Sequence, residues 1–335
     1  MRFPIKPLLL ILLGLAALLI YLDWTGDRRS GPLLSDLRTR PIESQGQPGS
    51  AGNLLGIEVR LQPADYQSRE RLRLKFATYL DQARDAGLLG PLTIVVLPEH
   101  VGTGLFALGE KPEVQQARTL RDAMQWMALS NPLDYLRALL DNSGEAHRTE
   151  AVLRIKAERM AEDYQRIFAD LARSYGVTLV AGSIVLPAPR LEAGRLKTGT
   201  GPLHQVSLVF SPEGEALQPL HFKTTLSRYE GRYSQPPART PGAWVQTPAG
   251  RLAVLLGCDA HTRALPADTE LLAIPGAVAD PAGDCATPAI GFDIPHSAVQ
   301  TLGVPWNLLG SPRKPAQRFH GEPVQLRNLW LQPRP

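Results

Sequence analysis

Sixteen residues from Pro7 to Leu22 (PLLLILLGLAALLIYL) carry no charge, and this run restricts the chain more than anything else in its 335 residues. A surface helix of a water-soluble fold needs a polar face, which the run lacks, and the few residues before it could not build a core around it. As a helix it would reach roughly 24 Å at about 1.5 Å per residue, a little under the ~30 Å hydrocarbon core of a bilayer. Arg2 and Lys6 precede it, and Tyr21, Asp23 and Trp24 close it with rings that favour a membrane–water interface. No A-x-A cleavage site follows cleanly, so residues 1–24 read as a signal anchor in preference to a removed signal peptide. The expected location is a bacterial inner membrane with the domain exported to the periplasmic side, although Arg28 and Arg29 beyond the run weaken the charge asymmetry.

Residues 25–53, rich in Gly, Ser, Pro, Arg and Gln, have little periodicity and read as a flexible linker to one domain over 54–335. A net charge of +4 from scattered arginines, with acids between them, gives no basic block and argues against nucleic acid. The two cysteines, Cys258 and Cys285, allow at most one internal disulfide and no zinc site.

The domain alternates between periods. LLGIEVRLQ from Leu54 reads as a strand, Ser68 caps a helix with the stripe Leu72, Phe76, Tyr79, Leu80 and Ala83, and LTIVVLPEH is a buried strand. Residues 114–141 suggest two short helices divided at Asn131 and Pro132. A longer helix over about Thr149 to Tyr175 buries Leu153, Ala157, Met160, Tyr164, Ile167, Phe168 and Leu171, and Gly176 ends it. VTLVAGSIVL follows, then a meander in which HQVSLVF and LHFK flank SPEGE, and WVQT and RLAVLLG flank PAG. ELLAIPGA is a further buried strand, and VQLRNLWLQ a short candidate near the end.

Three strand ends carry groups able to do chemistry: Glu99 after VVLP, Lys223 in HFKTTLSRYE, and Cys258 in GRLAVLLGCDA. Ends of neighbouring strands converge on one sheet edge, where α/β folds place their sites. Singly, each has a plainer reading, as a turn cap, an edge charge and a core thiol.

Taken in order, the three segments resemble the nitrilase, or carbon–nitrogen hydrolase, superfamily. LVAGS, QVSLVFSPEGE and VQTPAGRLAVLLGCD extend the resemblance over most of residues 54–278. It implies a four-layer α-β-β-α sandwich behind the membrane helix and a thiol hydrolase of non-peptide carbon–nitrogen bonds, amide more than nitrile. Cys258 would be the nucleophile, Glu99 the general base and then acid, Lys223 the oxyanion stabiliser, and Glu230 a second glutamate that positions substrate or the lysine. No metal and no organic cofactor is implied, and a homodimer is. The chemistry is coherent, because a thiol of pKa ~8.5 needs a neighbouring base or cation to become nucleophilic.

The segment departs from the family pattern at one place. Counted without gaps from Gly250 to Asp259, the nucleophile position falls on Gly257, and Cys258 stands where an aromatic residue is usual. A one-residue shift in a strand turns a side chain to the opposite face. An active hydrolase therefore requires a bulge or early turn to re-aim Cys258. The alternatives are a silent membrane-tethered binding or scaffold protein, and, in the same chemistry, an N-acyltransferase. From Gly283 onward the resemblance is poor, and His261, His296 and His320 receive no role.

Overall fold

The computed structural model describes residues 5–28, 36–132, 147–238, 244–276, 292–300, 303–308, 311, 313–315 and 323–333. Helix α1 (Ile5–Gly26) contains an apolar stretch, Lys6–Gly26, that is long enough to cross a bilayer and is unburied by the rest of the chain. It outruns the uncharged segment by continuing through Asp23–Gly26, where Thr25 Oγ1 donates to the Leu22 carbonyl at 2.8 Å. The helical length is thereby about 30 Å, a match to the bilayer core.

The domain is mixed α/β, built on two packed sheets. The larger has eight strands: β1 (Glu43–Gln45), β2 (Asn53–Glu58), β3 (Thr93–Val96), β4 (Thr178–Val180), β5 (Ile184–Pro187), β8 (Leu203–Phe210), β9 (Ala216–Phe222) and β14 (Gln325–Trp330). Their order is β1-β14-β2-β3-β4-β8-β5, with β9 also on β8. Strands β6 (Arg190–Glu192) and β7 (Arg195–Lys197) form a separate hairpin. The smaller sheet runs β10 (Val245–Thr247), β11 (Gly250–Val254), β12 (Leu271–Pro275), β13 (His296–Val299). β2, β3 and β4 are parallel to one another, as are β11, β12 and β13.

Alternation along the strands sorts the core into layers. Leu54, Ile94, Val96, Val180 and Val209 of the large sheet meet Val245, Leu252, Val254, Leu256, Leu271, Ala273 and Val299 of the small one. The other face of the large sheet takes Leu55, Ile57, Val95, Leu179 and Leu208 against two helices, α2 (Arg69–Asp85) and α5 (His147–Tyr175). Both helices follow their expected stripes. Ser68 Oγ accepts from Arg71 N at 3.2 Å and starts α2, and Gly176, with φ +61°, ends α5. On the outer face of the small sheet, Ala253, Leu255, Leu272 and Ile274 pack with Ala260 of the one-turn helix α6 (Asp259–Thr262), which among the described residues represents the fourth layer.

Two expectations meet a different structure. Within the expected linker, residues 43–45 form β1, an edge strand paired in parallel with β14. Its three side chains are all exposed, so no hydrophobic pattern marks it, and the pairing rests on backbone hydrogen bonds with two polar cross-strand contacts, Arg327 Nε to Glu43 Oε2 at 3.0 Å and Asn328 Nδ2 to Ser44 Oγ at 2.9 Å. The stretch before Asn131 folds as α3 (Pro112–Gln116) and α4 (Leu120–Ser130), while the helix expected after Pro132 lies outside the described residues.

Candidate functional site

β3 ends at Val96 in the middle of the large sheet, and the chain leaves it through Leu97 and Pro98 to Glu99. Leu97 N bonds to the Val180 carbonyl at 3.0 Å, and Glu99 N bonds to the Gly276 carbonyl, just past β12, at 3.0 Å. Glu99 is thus pinned where the two sheets' strand ends meet. Gly182 makes the approach possible: a β-carbon there would stand 2.1 Å from the Pro98 carbonyl oxygen.

Lys223 follows β9, and its backbone N donates to the Gln205 carbonyl at 2.9 Å. Its ammonium lies 2.9 Å from Glu99 Oε1 and 2.8 Å from Glu230 Oε1. Glu230 is fixed further by Ser227 N on Oε2 at 2.8 Å and by His100 Nε2 against Oε1 at 2.9 Å. Gln205 Nε2 donates to Glu99 Oε1 at 3.0 Å and to Ser183 Oγ at 2.9 Å. Glu99, His100, Lys223 and Glu230 are each no more than 2% exposed.

Burial sets the charges. It pushes the Glu99 carboxyl above its ordinary value, with Glu230 adding to the rise and Lys223 opposing it. Burial also disfavours the Lys223 ammonium, yet the two carboxylates outweigh that cost and hold it above the usual lysine range. For Glu230 the penalty of burial is overcome by Lys223 and His100, and its carboxyl is held well below the normal range. One ammonium satisfies one carboxylate, Glu230, and leaves Glu99 as the group inclined to keep its proton. Glu99, His100 and Glu230 offer donor atoms within 4.8 Å of one another, the spacing of a cation site. The Lys223 ammonium, in contact with both carboxylates, already supplies the positive charge such a site would take.

The structure therefore brings Glu99, Lys223 and Glu230 together and places Cys258 one residue out of line with them. After β11 the backbone continues its pairing through Leu255 N to the Ala273 carbonyl at 3.0 Å and Gly257 N to the Pro275 carbonyl at 2.8 Å. At Gly257 it turns with φ +46°. A β-carbon on Gly257 would lie 2.6 Å from Glu99 Oε2 and 3.0 Å from Oε1, so residue 257 is the position that faces the acid. Cys258 has helical backbone angles, is 4% exposed and is disulfide-bonded, not a free thiol. The turn required to re-aim Cys258 is present, but it points glycine at the carboxylate. Cys285 lies outside the described residues.

Sequence reasoning missed Asp259, His100 and Gln205 as members of this neighbourhood. Asp259 is fully buried, and its carboxylate accepts from Thr224 N at 2.9 Å, Thr224 Oγ1 at 2.7 Å and Thr225 N at 2.7 Å, clamping the segment that follows Lys223. Its signal was an acid opening a helix directly beyond a buried strand. His100 adjoins Glu99 in sequence, but its φ of +59° and its bond to Glu230 belong to tertiary structure.

No protein-family model and no curated protein matches the chain. Among solved structures it is similar to an amidase from Nesterenkonia sp. with acrylamide added at the active-site cysteine (13% identity, 76% of this chain and 80% of that one, TM-score 0.47). It is also similar to a carbon–nitrogen hydrolase from Helicobacter pylori (18% identity, 68% and 60%, TM-score 0.40). A third is a nitrilase-superfamily member from Saccharomyces cerevisiae (15% identity, 70% and 68%, TM-score 0.37).

Proposed function

We propose that this chain is a membrane-tethered member of the carbon–nitrogen hydrolase superfamily that keeps the acid–lysine–acid cluster but does not use the acyl-enzyme route on Cys258, and works as a binding or scaffold protein. The order of the sequence segments and the convergence of Glu99, Lys223 and Glu230 at the sheet ends support the superfamily. One observation carries the rest: glycine occupies the position facing Glu99, and its missing β-carbon is what allows the carboxylate to sit against the backbone. Covalent attack needs a nucleophile within reach of its base, and glycine has no side chain to supply one. α1 is the tether, and a disulfide at Cys258 suits an oxidising compartment, which favours the periplasmic side of a bacterial inner membrane.

Thiol labelling tests this. Full-length protein should resist iodoacetamide near neutral pH, label slowly after reduction, and release no ammonia from small amides in either state. A fast labelling phase after reduction, lost in Cys258→Ala and accompanied by amide turnover, would overturn the proposal.

That opposite outcome is the second reading, an amide hydrolase in which opening the disulfide frees Cys258. It is favoured by the state of Glu99, a buried carboxyl with a raised pKa beside a lysine, which is the condition of a general acid. Amides at the membrane surface would be its substrates, Glu230 would position them, and a homodimer would be compatible with either reading.

A further inference from the structure

α1 is exposed along its apolar length but docks onto the domain at its last turns. Tyr21 donates its hydroxyl to the Leu129 carbonyl at 2.6 Å, and the Trp24 and Trp126 rings lie 6.3 Å apart. Lys111 Nζ stands 4.3 Å from the centre of the Trp24 ring and donates to the Asp27 carbonyl at 2.7 Å. Arg28 closes the junction, its Nη1 2.7 Å from Glu110 Oε2 and its Nη2 donating to Asn131 Oδ1 at 3.0 Å. Lys156 holds the other oxygen of the same carboxylate. The end of the membrane helix is thus fixed to the domain.

The fixed geometry sets a depth for α4. Its inward face buries Leu120, Ala123, Met124 and Met127, yet near its end Trp126 is 37% and Leu129 52% exposed, one turn apart on the opposite face. From Lys6 to Trp24 the helix rises about 27 Å, so with Lys6 at one interface Trp24 reaches the other. Tyr21 lies about 4.5 Å deeper than Trp24, and the residue bonded to it is Leu129. Trp126, beside Trp24, shares the level at which indole rings collect. Arg118 and Arg121, both exposed at the other end of this segment, suit anionic headgroups.

We propose that the last turn of α4 is a second, monotopic membrane contact, in which Trp126 and Leu129 enter the near edge of the bilayer that α1 crosses. The occupant of this apolar face, uncovered among the described residues, is lipid, because the face is continuous with the helix end that emerges from lipid. The contact gives the domain one orientation on the surface. The chain from Glu99 to Lys111 then runs directly from the charged cluster to the membrane junction, and every residue in it but Gly109 is buried.

This rests on α1 spanning the bilayer, and one experiment separates the two claims. The full chain is reconstituted in nanodiscs of zwitterionic and anionic lipid, with acyl chains either plain or brominated near the headgroup. Emission of Trp126 and Trp24 is obtained by difference from Trp126→Phe and Trp24→Phe, with unchanged circular dichroism and thermal midpoint required of both. Bromine should quench each residue at least twofold. Trp24 quenched and Trp126 unquenched would overturn the α4 contact and leave the tether standing, whereas failure of both would remove the tether as well. Trp126 shielded from bromine and also from aqueous acrylamide would identify a protein cover, a second copy or a partner, and equally overturn the proposal.

Discussion

At residue 257 the backbone and the charge cluster impose the same demand. A positive φ costs a non-glycine residue roughly 1–2 kcal/mol, and a β-carbon would in addition displace the Glu99 carboxylate from Lys223 and Gln205. Gly257→Ala is therefore expected to lose at least ~2 kcal/mol of stability by denaturant titration; an unchanged midpoint would mean that Glu99 is not seated as described. Glu99 itself gives a pH signature. Because its folded pKa is raised, the stability it contributes is fully present below its unfolded value and is lost as pH rises through the folded value. Glu99→Gln abolishes that titration. The melting temperature of the wild type relative to Glu99→Gln should fall as pH increases from about 4.5 upward, and curves that stay parallel, or diverge the other way, contradict a proton-retaining Glu99. The sequence marked Glu99 and Lys223 as strand-end groups, but not which neighbour faces them. Orientation at a strand end depends on one dihedral angle, and the glycine at 257 leaves that angle open until the fold sets it.

Elements with a strong apolar period were legible: the stripes of α2 and α5 appear as expected because together they cover one face of the large sheet. β1 was not legible, having no buried side chain, and α6 is a single turn whose existence follows from contacts that Asp259 makes with another element. Those contacts join α6 to the segment after β9 and so hold Lys223 in place. Asp259→Ala would leave the half-buried amides of Thr224 and Thr225 without their carboxylate acceptor, each at up to about 1–3 kcal/mol. We expect a loss of about 2–5 kcal/mol, and a shift of the Lys223 methylene resonances that Asp259→Asn, which keeps a carbonyl acceptor, reproduces only in part. Equal, small effects from both substitutions would show that the clamp is dispensable. At α2 the expectation is more modest: Ser68→Ala removes an N-cap and should cost about 1 kcal/mol with no effect on the charged cluster.

Over the whole molecule, the layers place the strand ends of both sheets, and with them the cluster, at one edge, while α1, long and apolar enough to cross a bilayer, docks its last turns on the domain. The sequence yielded both the layered α/β domain and the apolar helix before it, but read the connection between them as loose, because a clamp made by Arg28, Glu110 and Asn131 joins residues about a hundred positions apart and has no local pattern. Glu110 is the centre of that clamp, buried and shared by Arg28 and Lys156. Glu110→Gln removes the negative charge and leaves Arg28 and Lys156 without their counter-ion; both side chains are partly exposed to solvent, and the lost charge-assisted hydrogen bonds cost about 1–3 kcal/mol. The loss should be local, since the sheets do not depend on this pair. Hydrogen exchange of the full chain in nanodiscs is therefore expected to rise at least tenfold in residues 24–28 and in the last turn of α4, with the β2, β3 and β8 amides unchanged. Uniform exchange across the chain would mean that Glu110 supports the domain as a whole, and no change anywhere would mean that the membrane helix and the domain move independently.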